Sequence, residues 1–138
     1  EVLIGRRLGI EIESGAVVSR ADSLKINTGR KYDVVVANPP YGRLSLSSLK
    51  GQAWEAVCHP GHINKYALFT ELCLKLAKKD GLVALVLPSS FIGGPLYDRL
   101  RAHIRSKAEV LLLGSVVGRD DIFVDVSQDI SILMARAG

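Results

Sequence analysis

Two cysteines in 138 residues, Cys58 and Cys73, are too few and too unlike in context for a disulfide framework. That scarcity fits a reducing cytosol. No apolar run approaches the roughly 18 residues that a membrane span requires, and no secretory signal opens the chain. A cytoplasmic location with no membrane partner is therefore expected. Internal repeats and low-complexity tracts are absent, which sets repeat architectures aside. Charge of one sign is only mildly in excess: 18 Lys and Arg against 14 Asp and Glu give +4, with a pI near 9.2. Such a balance is compatible with a polyanionic partner without requiring one. Cys58, His59 and His62 lie close together, yet a structural zinc site usually takes four ligands. No fourth stands nearby, and no metal is expected.

What is present suffices for one ordinary core, with 48% hydrophobic content over 138 residues. The chain begins at Glu1 and runs straight into helical pattern, which reads as a piece of a longer protein. Val2, Leu3, Ile4 and Leu8 suggest the tail of an amphipathic helix. Ala16 to Arg20 reads as a short strand ending near Asp22. Asp33 to Ala37 is a strand with a continuous apolar run, as expected of one covered on both faces. From Gly42 to about Ile63 the pattern breaks into a long loop with one helical turn near Trp54, and loops of that length are usually functional or mobile.

A helix is predicted from Asn64, as N-cap, to Lys79, with Leu68, Leu72 and Leu76 along one side, widened by Phe69, Cys73 and Ala77, and Gly81 as its stop. Leu82 to Leu87 is a second apolar strand, ended by Pro88-Ser89-Ser90. A second helix starts near Pro95, turning Leu96, Leu100 and Ile104 inward and Arg99, Arg101 and Arg105 outward as a solvated basic face. His103 reads as solvated or capped. Glu109 to Leu113 is a third strand, followed by an antiparallel pair, about Gly114–Val117 and Ile130–Ala135, at the sheet edge. The sum is an α/β fold with a mostly parallel sheet and a C-terminal antiparallel hairpin.

Asn38-Pro39-Pro40-Tyr41 stops the Asp33–Ala37 strand abruptly, and ligands of open α/β sheets bind outside the carboxyl ends of the strands. The two prolines fix φ and remove backbone donors, leaving rigidly placed carbonyl acceptors. Asn38 adds a side-chain acceptor, and Tyr41 adds a flat ring with a polar tip. Acceptors plus a stacking ring suit a planar ligand with an exposed amino or amide nitrogen. Two hydrogen bonds accepted from an –NH2 group draw its lone pair out of conjugation, so that it can attack an electrophilic carbon. An ordinary proline turn after a strand is the plain alternative, less favoured once the strand and Tyr41 are counted.

Asp33-Val34-Val35-Val36-Ala37-Asn38-Pro39-Pro40-Tyr41 resembles the catalytic motif of S-adenosylmethionine-dependent methyltransferases that act on amino nitrogens, above all the DNA adenine-N6 enzymes. Tyr66-Ala67-Leu68-Phe69, the Leu82–Leu87 strand, Pro88-Ser89-Ser90-Phe91 and Leu100-Arg101 look like the segments that follow it in type I and type IIG restriction–modification methyltransferases. Ile122-Phe123 and Asp129 to Leu133 resemble the family's base-contacting loop and last strand. The resemblance covers nearly the whole chain. It implies a partial Rossmann-like methyltransferase fold, S-adenosylmethionine as cofactor and double-stranded DNA as substrate. Further partners it implies are specificity or restriction subunits, or an endonuclease in the same polypeptide.

Carried over by position, Asn38 and the backbone at Pro39 would accept hydrogen bonds from the adenine amino group, within the catalytic set Asn38, Pro39, Pro40 and Tyr41. Tyr41 would stack on the flipped base, and Phe123 would pack against it from another side. Asp22 would contact the adenine moiety of the cofactor, with Asn38 also bordering that site, and Phe91 would wall the pocket. The family's glycine-rich cofactor loop has no counterpart upstream of Asn38. Residues 1–138 are thus expected to form the C-terminal, catalytic-motif part of one methyltransferase domain, binding cofactor weakly and exposing a sheet edge prone to self-association.

Two other readings stand beside this one. Glutamine-N5 protein methyltransferases share the four-residue motif because an amide nitrogen poses a similar problem. A non-catalytic scaffold domain would keep only the fold. Arg43, Lys50 and Lys65 suit phosphate contacts or plain solvation equally.

Overall fold

The computed structural model describes residues 22–25, 29, 31–49, 54–116 and 129–138. The expected N-terminal helix, the strand before Asp22, Lys50 and the Phe123 loop lie outside them. Among the described residues a four-stranded sheet is built from β1 (Tyr32–Ala37), β2 (Ala77–Pro88), β3 (Ala108–Ser115) and β4 (Ile130–Ala137), in the order β1-β2-β4-β3. β1 and β2 are parallel, while β4 runs antiparallel to both β2 and β3. Three strands therefore point one way, with a reversed strand inserted between two of them. The predicted hairpin is present, but β4 is its interior member and β3 the edge. Residues 108–115 form one continuous strand rather than two, and Val116 extends the ladder by donating to the Ile130 carbonyl at 3.0 Å.

Three helices accompany the sheet: α1 (Lys65–Leu76), the short α2 (Ser90–Gly93) and α3 (Asp98–Lys107). α1 packs on β1, β2 and α3, and α3 packs on β3. Val83, Leu85 and Leu87 of β2, Leu133 of β4, and Leu100 and Ile104 of α3 are buried in one cluster with Tyr66, Ala67, Leu68 and Cys73 of α1. Each such aliphatic side chain contributes about 1.5–3 kcal/mol by leaving water. Burial raises the thiol pKa of Cys58 and pushes that of Cys73 up to about 11. Both are free, buried and poorly nucleophilic.

The apolar run of β1 predicted burial on both faces. Instead Val34 is 58% exposed and Val36 73% exposed, while Val35 and Ala37 pack against the core. Across the ladder, Val34 pairs with Leu82, Ala84 with Met134 and Met134 with Leu112, and Leu82, Met134 and Leu112 are likewise exposed. The sheet thus has one face covered by helices and one apolar face open among the described residues.

α1 ends three residues earlier than predicted. Ala77 is drawn into the ladder opposite Tyr32, and the next pairing, Val34 with Leu82, skips four residues on β2. Asp80 adopts a left-handed conformation (φ 63°) in that excursion, a position Asp tolerates better than most residues. Gly81 has a different use. A Cβ there would lie 2.9 Å from the Lys78 carbonyl oxygen and 3.1 Å from those of Tyr32 and Asp33. The inward face of α1 is also rotated from the predicted leucine stripe. Leu68 and Cys73 are buried as predicted, together with Tyr66, Ala67, Thr70 and Leu74, whereas Leu72 and Leu76 are half-buried.

Candidate active site

β1 delivers Asn38 at its carboxyl end, as expected. Asn38 is exposed, Pro39 buried, Pro40 exposed and Tyr41 half-buried. The motif is thereby anchored through Pro39 while its amide side chain faces outward. Gly42 then takes φ 108°, a conformation that only glycine adopts without strain. It turns the chain so that Arg43 bridges Asn64, Leu44 donates to the Ile63 carbonyl at 2.8 Å, and Lys65 donates to the Gly42 carbonyl at 3.0 Å. The first turn of α1 is therefore tied directly to the end of the motif. Asn64 stands at the N-cap position, without a side-chain capping bond.

An aromatic layer lies behind the motif. The rings of Tyr41 and Tyr66 are 6.4 Å apart and nearly perpendicular at 83°. Tyr66 in turn meets Tyr97 at 5.7 Å, and Tyr97 meets His62 at 5.6 Å, with its hydroxyl 3.5 Å from His62 Nε2. Desolvation raises the pKa of the Tyr41 phenol and holds that of Tyr66 well above its ordinary value, reinforced for Tyr66 by the neighbouring Tyr97. These rings stay neutral at physiological pH. The Tyr66 hydroxyl is buried and has no hydrogen-bond partner among the described residues, an arrangement that typically costs about 1–3 kcal/mol. The His62 imidazole is pushed below its usual pKa by desolvation first, and then by the nearby Arg43 and His59.

The segment after the motif is better braced than a loop pattern suggested. Residues 46–49 form a 3-10 turn, the predicted turn near Trp54 is present as Cys58 donates to the Trp54 carbonyl at 2.9 Å, and Leu49, Val57, Cys58 and Ile63 are core residues. His59 Nε2 meets the Asp98 carboxylate at 2.5 Å. The helix α3 supplies most of the bracing. Arg99 donates to the carbonyls of Glu55 and Cys58 at 3.1 and 3.2 Å, and Arg101 donates to those of Phe91 and Gly94 at 2.8 and 2.9 Å. Two arginines predicted to face solvent are instead structural clamps. Arg105 is exposed as expected, and Leu96 points outward rather than inward. His103 is no solvated histidine either: it pairs with Glu71 of α1 in a largely buried contact.

Asp22 is exposed. Its carboxylate accepts from Leu24 N at 3.3 Å and pairs with Lys25 at 3.0 Å, and the Lys25 contact holds its pKa below the usual carboxylate range. Asp22 borders a cavity of about 370 Å³ together with Pro40, Leu44, Lys65 and Phe69. The structure therefore brings the acidic position and the motif to one concavity. Phe91 does not wall that cavity but fills the core beneath the turn after β2. Phe123 lies outside the described residues. No group of metal-binding side chains occurs among the described residues, and no described helix is long and apolar enough to cross a membrane.

Sequence reasoning missed Tyr66, Tyr97 and the two arginine clamps. Tyr66 and Thr70 carry polar groups, so a search for apolar periodicity passed over the buried face they belong to. Thr70 satisfies its hydroxyl locally by donating to the Tyr66 carbonyl at 2.8 Å.

Comparison with known proteins bears on the family and the fold. A Methanocaldococcus jannaschii protein assigned as a type II restriction enzyme and methyltransferase is 33% identical over 76 residues, which are 55% of this chain and 6% of that protein. The type II methyltransferase M.PstI of Providencia stuartii is 28% identical over 94 residues, 67% of this chain and 18% of that one. The chain spans less than a fifth of either relative. Among solved structures, one assigned to the class I S-adenosylmethionine-dependent methyltransferases, from Listeria monocytogenes, superposes with a TM-score of 0.69 at 19% identity, over 83% of this chain and 34% of that one. That likeness establishes the fold. Residues 9–123 match the Eco57I restriction-modification methylase family, and with most of its length inside that match the chain belongs to that family.

Proposed function

We propose that this chain carries the amino-group clamp of a DNA adenine-N6 methyltransferase working in a restriction–modification system. The observation that carries the reading is Asn38-Pro39-Pro40-Tyr41 at the carboxyl end of β1, with Asn38 exposed, Pro39 buried and Tyr41 half-buried. The restriction–modification family supports DNA over a protein amide as the substrate.

The donors and acceptors on this chain fit S-adenosylmethionine in part. The Asp22 carboxylate can accept from an exocyclic amine, and Pro40, Leu44 and Phe69 give the same cavity apolar walls. When bound, the cofactor supplies an electrophilic methyl group. The residues of this chain do the rest by placement. Asn38 Oδ1 and the Pro39 carbonyl each accept one hydrogen from the adenine amino group. That draws the nitrogen lone pair out of the ring. With the cofactor held beside Asp22 and Pro40, the nitrogen would be free to take its methyl group, and the proton it then sheds would pass to solvent. Tyr41, neutral and perpendicular to Tyr66, stacks on the extruded base. Residues 1–138 then represent the catalytic-motif portion of one methyltransferase domain, with Phe123 as a second wall of the base pocket.

The test is methyl transfer from labelled S-adenosylmethionine to duplex DNA by the full-length protein. Asn38→Ala removes one acceptor that acts on the reacting nitrogen, and a loss of about 10²–10³ in turnover is expected, by analogy with the removal of one oxyanion-hole donor. An unchanged rate sinks the proposed clamp. Labelling of a glutamine in a protein substrate, with none in DNA, replaces adenine by an amide as the target.

A further inference from the structure

Tyr66 is 3% exposed, yet it buries a hydroxyl that nothing among the described residues satisfies. A phenylalanine would fill the same space without that penalty, and an aliphatic residue would pack against the neighbouring core. Packing thus leaves the hydroxyl unexplained, whereas the ring makes a defined contact of its own. It stands perpendicular to Tyr41 at 6.4 Å, within the range where edge-to-face pairs are favoured. Its mounting is rigid. The residue before it, Lys65, donates its backbone N–H to Gly42, the residue after Tyr41, while Arg43 bridges Asn64. Tyr97 also meets the Tyr66 ring, and is itself in tilted contact with His62. Tyr41 remains half-buried, held from behind and open in front.

We propose that Tyr66 is a positioning residue: its ring fixes the orientation of Tyr41 so that the exposed part of that ring is already set to stack on the target base. Tyr97 and His62 back the contact, and the Tyr66 hydroxyl plays no part in it. The proposal rests on the reading of Tyr41 as the base-stacking residue. It differs from that reading in assigning a role to a side chain that touches no substrate.

Two substitutions in the full-length protein separate ring from hydroxyl. Tyr66→Phe keeps the ring, and Tyr66→Met fills the volume with a flexible chain. In the free protein, the Tyr41 ring-proton resonances are expected to move in the Met variant and to stay in place in the Phe variant. With duplex DNA carrying 2-aminopurine at the target position, the Met variant is expected to leave the flipped base more fluorescent, because stacking is looser. Turnover should fall about 2- to 12-fold, the factor equivalent to one aromatic pair, with KM for DNA within twofold of wild type. Tyr66→Phe restores all three readouts. Tyr97→Leu, in a half-buried and less critical position, is expected to shift the same readouts less, and it serves if Tyr66→Met does not fold.

Tyr41 resonances unmoved by Tyr66→Met, or by Tyr97→Leu where that variant stands in, overturn the proposal. So does a Phe variant as impaired as the Met variant. If the Tyr41 resonances move in the Met variant as expected but the wild-type protein neither flips nor methylates the base, the ring contact stands and the base-stacking role on which the proposal rests is refuted.

Discussion

Replacing Gly81 by alanine sets two opposing effects against each other, and the structure decides between them. Gly81 lies outside the left-handed region, since Asp80 and not Gly81 carries the positive φ in this turn. Alanine is therefore conformationally allowed and should stabilise by about 0.4–1 kcal/mol through the unfolded chain. Against that, its Cβ would meet three backbone oxygens at 2.9–3.1 Å. Two of them, from Tyr32 and Asp33, belong to β1, and the pairings of Tyr32 with Ala77 and of Val34 with Leu82 hold them in place on either side. Only the Lys78 carbonyl sits in the excursion and is free to give way. Overpacking against fixed backbone typically costs about 1–3 kcal/mol. The net expectation is a loss of about 1–2 kcal/mol. With a urea m-value of about 2 kcal/mol/M, the unfolding midpoint should drop by about 0.5–1 M. Gly114 provides the internal comparison, because it lies in β3 with open space around its would-be Cβ. Gly114→Ala should hold the midpoint or raise it. A Gly81→Ala protein as stable as wild type, or more so, refutes the argument that close approach rather than backbone freedom requires glycine there.

Two other perturbations follow from the braces around the site. Arg99→Ala deletes donors to the Glu55 and Cys58 carbonyls and is expected to cost about 1–3 kcal/mol as hydrogen bonds from a charged group are lost. Amide hydrogen exchange should quicken over residues 54–63 before it does in β2, and uniform quickening would contradict a local clamp. The His62 pKa is depressed in the folded state, so the unfolded chain binds more protons as pH falls below about 6.5. The stability associated with His62 is complete above that pH and declines on acidification toward its lower folded pKa. Urea midpoints at pH 7.5 and 5.5 should therefore differ more for wild type than for His62→Gln. Equal differences would show that His62 is not the source.

The parts of this fold that were legible from sequence share one property: their pattern does not depend on what packs against them. β2 reads as a strand from Leu82-Val83-Ala84-Leu85-Val86-Leu87 alone, and Asn38-Pro39-Pro40-Tyr41 announces the end of β1 because proline cannot continue a ladder. β4 alternates buried and exposed residues from Ser131 onward, which suits the hairpin with the end of β3, yet nothing in that alternation says that β2 will pair on its other side. Its place between β2 and β3 is a long-range choice. α1 was misread for a different reason. Following the leucines puts its inward face on Leu68, Leu72 and Leu76, widened by Phe69, Cys73 and Ala77. Leu68 and Cys73 are buried as expected, but the face also takes in Tyr66 and Thr70, whose polar atoms hide them from a hydropathy pattern. The helix end was misplaced because pairing of Ala77 with Tyr32 outcompeted further helical turns that Lys78 and Lys79 would locally allow. At the candidate site, the motif was visible and its support was not. Arg99, Arg101, Tyr97 and Asp98 look from sequence like the start of an ordinary basic helix.

That support changes how the positive charge of the chain bears on DNA. A net charge of +4 invites the idea of a basic surface, and α3 with its arginines is the obvious place to look for one. Arg99 and Arg101 are unavailable for it, because their guanidinium groups are committed to four backbone carbonyls in the two segments flanking the strand ends. Nor is His59 free, since it faces Asp98. Beside the motif, the cations that no ion pair engages among the described residues are Arg43, one residue past the turn at Gly42, and Lys65, at the start of α1 on the rim of the Asp22 cavity. For a substrate whose phosphates must pass the carboxyl end of β1, these two groups stand where charge is useful, and the α3 arginines do not. Arg99 and Arg101 hold the site together, and among the described residues beside the motif the electrostatic approach of a polyanion is left to Arg43 and Lys65.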